Sequence, residues 1–379
     1  MTKKWTVLRV FTFVIVALLA LLAITVIVGL IWHSAAQGKT RAERTQIDPK
    51  AGVDELFKVP AGGIQQWFHA RGVNRNDPVL LYLHGGPGTP MIPFESMFQG
   101  SMEKHFIVVN WDQRCAGKTY FANPDLDCAK TANFKQMVKD AVDVVDLLKR
   151  RYGKDRIIVL GHSWGSILGL GLIQARPNDI AAYVGTGQVV DIEQNEALGY
   201  KATLDEARRL KNADAVRELE GLAPYPDPDG FSAGKKIDVL RKWEQRFGFA
   251  ISRRYPGDID NVMFPIALRS PEYSLKEVSF FLKDLDALMP QLMRDVDAFK
   301  AADLGSDYNV PMFLFLGRYD WQTPSVLAAQ WETTITAPVN KTLWFENSAH
   351  SPMIDEPDAY TKALVQFVKP LAVKSEEKR

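Results

Sequence analysis

The five residues Gly161-His162-Ser163-Trp164-Gly165 constrain this chain more than any other stretch of it. They follow a short apolar run, Arg156 to Leu160, that reads as a buried strand, and they precede a mostly apolar helical segment from Ile167 to Ala175. A G-x-S-x-G turn between a strand and a helix lifts the serine hydroxyl above the sheet edge, and small residues at both ends let strand and helix approach closely. The first amides of the helix then point at any negative charge that develops near Ser163. A plain turn serine is the alternative reading, and the strand-turn-helix setting argues against it.

The surrounding chain has the rhythm that such a turn requires. Pro78 to Leu83 and Phe106 to Trp111 read as buried strands, and Asn133 to Tyr152 as an amphipathic helix with Met137, Ala141, Val144, Val145 and Leu148 on one face. Strand and helix alternate, which implies a mostly parallel sheet covered by helices on both faces. The pattern breaks between about Asp191 and Tyr308, where the charged helical segments Leu204 to Leu222 and Leu275 to Phe299 flank a Pro-rich loop at 224–230. It resumes with strands at Pro311 to Leu316 and Thr342 to Phe345 and a closing helix from Asp358 to about Val373. With 379 residues there is room for one large α/β domain and an insertion. The expected organisation is a core at 51–190 and 309–379 interrupted by a helical cap at 191–308.

Chain order selects the partners of Ser163. In this architecture the acid and then the histidine follow the nucleophile. His350 is the only histidine after Ser163, and it lies in a small-residue loop, Asn347 to Pro352, after the last strand. Asp320, in Gly317-Arg318-Tyr319-Asp320-Trp321, directly follows the preceding strand and is placed to hold the imidazole's tautomer. Asp307 and Asp355 are expected to be solvated surface charges. His84-Gly85-Gly86-Pro87-Gly88 follows a strand, so the Gly86 amide, with that of Trp164, is the expected oxyanion hole. Ala116-Gly117-Lys118-Thr119 looks like the end of a phosphate-binding loop, but Asp112 occupies the position of its first glycine, which rejects a nucleotide site. The six histidines and two cysteines show no metal-ligand spacing, so neither metal nor cofactor is expected.

The N-terminus sets the compartment. Val10 to Trp32 is 23 residues without a charge, about 34 Å as a helix and long enough to cross a hydrocarbon core of about 30 Å. The run exceeds the apolar region of a cleavable signal peptide, so an uncleaved anchor over 1–32 is expected, with cleavage near Ser34-Ala35-Ala36 as the alternative. Residues 33–50 are polar and basic and read as a linker. Lys3, Lys4 and Arg9 lie closer to the run than Lys39, Arg41 and Arg44 do, which favours a cytoplasmic N-terminus and a body on the periplasmic or extracellular side. Beyond residue 44 the acids outnumber the bases, so a nucleic-acid partner is set aside. In an oxidising compartment Cys115 and Cys128 form either a disulfide or two buried thiols.

Taken together, these residues resemble the α/β-hydrolase fold, and within it the proline iminopeptidase (prolyl aminopeptidase) family of serine peptidases. The resemblance spans roughly Pro78 to Val373. His84 to Gly88 is similar to that family's oxyanion segment, Asp112-Gln113-Arg114 to the start of its Asp-Gln-Arg-Gly motif, and Gly161 to Ser166 to its Gly-Gly-Ser-Trp-Gly-Ser turn. Cys115 stands where the family has glycine, and Lys118-Thr119 where its pattern ends in serine. The resemblance implies release of an N-terminal residue, often proline, with acidic cap residues holding the free amine. Trp243-Glu244 resembles a Trp-Glu pair of the family's cap. Glu244 lies near Phe247 and Phe249, which could form an apolar pocket with a carboxylate at its edge.

The sequence therefore predicts a membrane-anchored α/β-hydrolase without cofactor. One transmembrane helix precedes a mostly parallel sheet with helices on both faces and a helical cap. The expected activity is that of an aminopeptidase acting on small peptides through Ser163, His350 and Asp320. An esterase, lactonase or amidase acting on a less polar acyl substrate is the alternative. A non-catalytic scaffold on the same fold is a third reading, opposed by the intact set of three residues.

Overall fold

The computed structural model describes residues 2–227, 236–255, 257 and 259–373. Part of the Pro-rich loop at 224–230 lies outside them. One eight-stranded sheet organises the body, in the order β1-β2-β4-β3-β5-β6-β7-β8. Its strands are β1 (Val53–Ala61), β2 (Ile64–Gly72), β3 (Val79–Leu83), β4 (Ile107–Asp112), β5 (Ile157–His162), β6 (Ile180–Thr186), β7 (Met312–Gly317) and β8 (Asn340–Phe345). β1 and β2 are antiparallel to each other, and β2 to β4; all other neighbours are parallel.

Strand alternation splits the core into two layers. Leu81 and Leu83 face one cluster with Val144, Leu148 and Leu172, while Leu80 and Tyr82 face the other with Phe94, Phe106 and Tyr360. Both layers are buried, as a parallel sheet requires. The helix between β4 and β5, Phe134–Tyr152, begins where the Asn133 side chain accepts the Gln136 N–H at 3.0 Å. It ends at Gly153 with φ 62°, a left-handed stop that glycine adopts freely.

The sheet contains more than the apolar runs indicate. β1 and β2 carry no comparable run, β6 has one, Ile180 to Val184, that is not among the expected strands, and β2 buries the polar side chains Gln66, His69 and Arg71. Between β6 and β7 lies the helical insertion. Where one charged segment was expected at Leu204 to Leu222, there are two helices, Ile192–Arg209 and Ala213–Glu220. Leu275 to Phe299 is a series of short pieces, among them Leu275–Val278, Leu285–Leu288 and Pro290–Asp297. The insertion's two ends meet: Asp191 bridges Lys300, and the Ala301 N–H donates to the Val190 carbonyl at 2.7 Å. The chain thus re-enters the core at Ala301, ahead of the expected Tyr308.

The N-terminal helix, α1, runs without interruption from Thr2 to Glu43. Among the described residues it is the one helix long and apolar enough to cross a membrane. Its last turns replace most of the expected linker at 33–50. They are held by the body, because the Gln37 side-chain amide donates to the carbonyls of Ser270 and Tyr273 at 2.8 and 3.0 Å. Arg44 continues this docking, pairing with Glu95 of the core at 2.9 Å and with Glu272 of the insertion at 2.6 Å.

Candidate active site

Five loops leave the carboxyl ends of parallel strands on one edge of the sheet, where ligands bind in open α/β folds. They carry His84 to Gly88 after β3, Ser163 after β5, Gly187 after β6, Asp320 after β7 and His350 after β8. Ser163 stands alone between β5 and the helix Trp164–Ala175, with φ 56°, a conformation costly for a residue with a side chain. The flanking glycines make the turn possible. A Cβ on Gly165 would lie 1.9 Å from the Leu83 carbonyl oxygen, and one on Gly161 2.4 Å from that of Gly165.

Asp320 and His350 are joined directly. The His350 Nδ1 lies 3.0 Å from Asp320 Oδ2, and both residues are buried. Thr323, which the sequence reading overlooked, orients the carboxylate: its N–H donates to Oδ1 at 2.9 Å and its hydroxyl to Oδ2 at 2.8 Å. The imidazole packs against His162, with ring centroids 4.7 Å apart, and against Gly187. Its Nε2 is buried and has no hydrogen-bond partner among the described residues. Ser163, whose Cβ lies 3.0 Å from where a Cβ on Gly85 would sit, is half-buried next to His162. Burial keeps the neighbouring histidines neutral, lowering His84 to about 4 and His162 well below its ordinary value. The Gly86 backbone has φ 110°, and Trp164 is the first residue of its helix, so its amide has no acceptor within that helix.

Above this edge the insertion contributes a buried charged group. Glu244, fully buried, accepts from Arg241 at 2.8 Å through Oε2, while its Oε1 has no partner among the described residues. Glu196, absent from the sequence reading, pairs with the same guanidinium and accepts the Tyr225 hydroxyl at 2.5 Å. Burial raises Glu244 to about 7 against the pull of Arg241, and the charges of Glu196 and Asp320 push it the same way. Trp243 points elsewhere. Its Nε1 donates to Glu218 at 2.8 Å and its ring packs in a separate cluster with Leu204, Leu219 and Leu240, so the structure removes it from the expected substrate pocket. Successive residues of a helix face different directions, and only Glu244 turns inward.

Two further expectations change. Asp355 is a junction rather than a solvated charge: it accepts from the Ser252 hydroxyl at 2.5 Å and from the amides of Arg253, Arg254 and Ala349, each at 3.0 Å. Cys115 and Cys128, left open between bridge and free thiols, are joined as a disulfide. Outside the site, His69, Glu95 and Glu272 bring ligand atoms within 4.8 Å of one another, but Arg44 already pairs with both carboxylates.

Sheet order, the strained serine turn and the strand-end loops define an α/β-hydrolase. Residues 77–221 match the family of serine aminopeptidases S33. The probable aminopeptidase YbaC of Bacillus subtilis is 29% identical over 325 residues, covering 84% of this chain and 97% of that protein. The proline iminopeptidase of Clostridioides difficile is 22% identical, covering 82% of this chain and 96% of its own length. In fold, the crystal structure of proline iminopeptidase from Mycobacterium smegmatis matches with a TM-score of 0.59 at 17% identity, over 85% of this chain and all of that one. The chain is thus an α/β-hydrolase in fold, similar in sequence to aminopeptidases of the proline iminopeptidase type.

Proposed function

We propose that this protein is a membrane-anchored serine aminopeptidase that removes one residue, proline among the candidates, from the N-terminus of small peptides. Ser163 Oγ attacks the first peptide carbonyl while His350 Nε2 takes its proton. Asp320, set by Thr323, holds the imidazole through Nδ1. The amides of Gly86 and Trp164 stabilise the oxyanion. His350 then protonates the departing amine, and water releases the acyl group from Ser163 by the same route in reverse. The insertion from Asp191 to Lys300 acts as the cap.

The observation that carries the reading is the buried pair Glu196 and Glu244. Two carboxylates share one guanidinium and one phenol, which leaves an excess of negative charge and a free oxygen, Glu244 Oε1, near Asp320. A protonated α-amine supplies the missing cation, and burying either charge unpaired would be costly. Arg241 favours a second reading, an esterase, lactonase or amidase, because it already serves both carboxylates. The two readings separate on a panel of proline and alanine arylamides, their N-acetyl forms and short acyl esters. The aminopeptidase reading expects N-acetylation to abolish turnover, and equal turnover of blocked and free substrates would replace it with the second.

The same proposal places α1 in the membrane with the body on the periplasmic or extracellular side. The crowded positive charges before the apolar run and the disulfide, which suits an oxidising compartment, both support this. Protease added to spheroplasts should digest the body, and protection until lysis would reverse the topology.

A further inference from the structure

A second space adjoins the site where the oxyanion loop meets the insertion. It is a cavity of about 570 Å³, lined chiefly by Gly88, Ile251, Met263, Phe280, Phe281 and Leu285. None of the proposed catalytic residues lines it, but two of its lining residues are near neighbours in the chain of the reaction centre. Gly88 follows the oxyanion residue Gly86 by two positions, and Ile251 follows Ala250, whose carbonyl accepts the His350 N–H at 3.0 Å. Neither Glu196 nor Glu244 lines it. The loop and the insertion are in contact here, since a Cβ on Gly88 would lie 2.8 Å from Met289 Cε and 3.3 Å from the Leu285 methyls.

An enzyme that removes one residue needs little room on the acyl side, because the substrate ends there at its ammonium. Everything beyond the scissile bond must be housed elsewhere. The chemistry of the cavity states what it would house. Its walls are mostly aromatic and aliphatic, with Phe94 and Phe281 edge to face at 5.3 Å; Thr89 and Asn261 add polar groups, and Lys283 is the one charged side chain among the described residues lining it. With no carboxylate it offers an ammonium no ion-pair partner, and its volume falls in the range of ligand pockets.

We propose that this cavity is the leaving-group subsite, selecting substrates in which the group beyond the scissile bond is bulky and apolar. The inference rests on the reaction proposed above. After Ser163 Oγ bonds to the carbonyl carbon, the C–N bond breaks and the departing amine takes its proton from His350 while its apolar side chain still occupies the cavity. Binding energy from that side chain then serves the transition state.

Two substrate series test the subsite separately from the aminopeptidase reading. In alanyl dipeptide amides, phenylalanine or leucine after the scissile bond should raise kcat/KM at least about tenfold over glycine. In acetate esters, which carry no amine, 2-phenylethyl should exceed ethyl by a similar factor, the two alcohols being close in acidity. Met263→Trp, which fills the cavity, and Leu285→Arg, which charges it, should each collapse these ratios towards one, read on protein whose melting curve remains cooperative. Flat ratios in both series with the wild-type enzyme would overturn the subsite. A ratio in the esters without turnover of the peptides would sink the aminopeptidase reading and leave the subsite standing, and turnover of neither series would overturn both.

Discussion

The backbone N–H of His350 donates to the carbonyl of Ala250 at 3.0 Å, so the loop of the proposed base is hydrogen-bonded to the insertion rather than resting on the core alone. Asp355 completes the tie, gathering the insertion's Ser252, Arg253 and Arg254 with Ala349, the neighbour of His350. Asp355→Ala should release both strands of the junction. Hydrogen bonds to a charged acceptor contribute about 1.5–3 kcal/mol each, so the expected outcome is a fall in stability of a few kcal/mol. A fall in kcat larger than the change in KM should accompany it. Urea melts and steady-state kinetics on the same preparation check both.

The proposed triad should behave as a unit. Ser163→Ala and His350→Ala should each remove nearly all turnover without altering the melting temperature by more than a few degrees. Asp320→Asn should lower kcat by about 10³–10⁴-fold through the wrong tautomer of His350. Thr323→Val, which removes one of the carboxylate's donors, should give a smaller loss. Labelling by a fluorophosphonate reports Ser163 directly, and undiminished labelling of the His350 variant would dismiss the mechanism.

Glu244 gives the enzyme a pH signature. Its carboxyl is raised to about 7, so it is charged above that pH and neutral below it. The partner α-amine is protonated below about pH 8. The ratio of kcat/KM for free-amine substrates over simple acyl esters should therefore peak between about 7 and 8 and fall on both sides. Glu244→Gln should lower that ratio about tenfold or more and remove its acid limb.

Arg44 closes a buried ionic cluster shared by α1, the core and the insertion. Arg44→Ala leaves Glu272 without its guanidinium and Glu95 with His69 alone, and an uncompensated buried charge costs about 3–5 kcal/mol. His69, in the same cluster, is raised to about 9: burial opposes its charge, but Glu95 and Asp54 outweigh it. A raised pKa stabilises the fold fully below the unfolded value of about 6.5, and the benefit is lost as the pH climbs towards 9. The melting temperature should decline across that window in the wild type and more weakly in His69→Asn.

The disulfide spans a separation of 13 residues. Replacing both cysteines with serine should cost roughly 3 kcal/mol in the chain-entropy model. Cys115 has φ 62°, in the region that favours glycine. Cys115→Gly with Cys128→Ser should thus recover about 1 kcal/mol relative to the double serine variant, measurable by chemical denaturation.

What the sequence discloses depends on whether local pattern or distant contact decides the outcome. The strands β3, β4, β5 and β7 are legible because each is a short apolar run buried on both faces, and the serine turn because glycine is obligatory at Gly161 and Gly165. Asp320 and His350 are legible from chain order. β2 is hidden because His69 and Arg71 are buried only by virtue of Asp54, Glu95 and Glu103, partners that no local window contains. Glu196 has no local signal either, since its role comes from Arg241 and Tyr225 across the insertion. Asp355 looks like any loop acid until the segment at 252–254 folds over it.

The unbroken run of α1 into its docking contacts has one last consequence. A flexible tether would let the body swivel freely, but Gln37 and Arg44 clamp the helix to the insertion and the core, leaving no joint below them. Seated in a bilayer, such a helix tilts to match the thickness of the hydrocarbon layer. With α1 in the membrane as proposed, that tilt passes undiminished to the body, so the angle at which the proposed catalytic edge faces the lipid surface becomes a property of the membrane as much as of the protein.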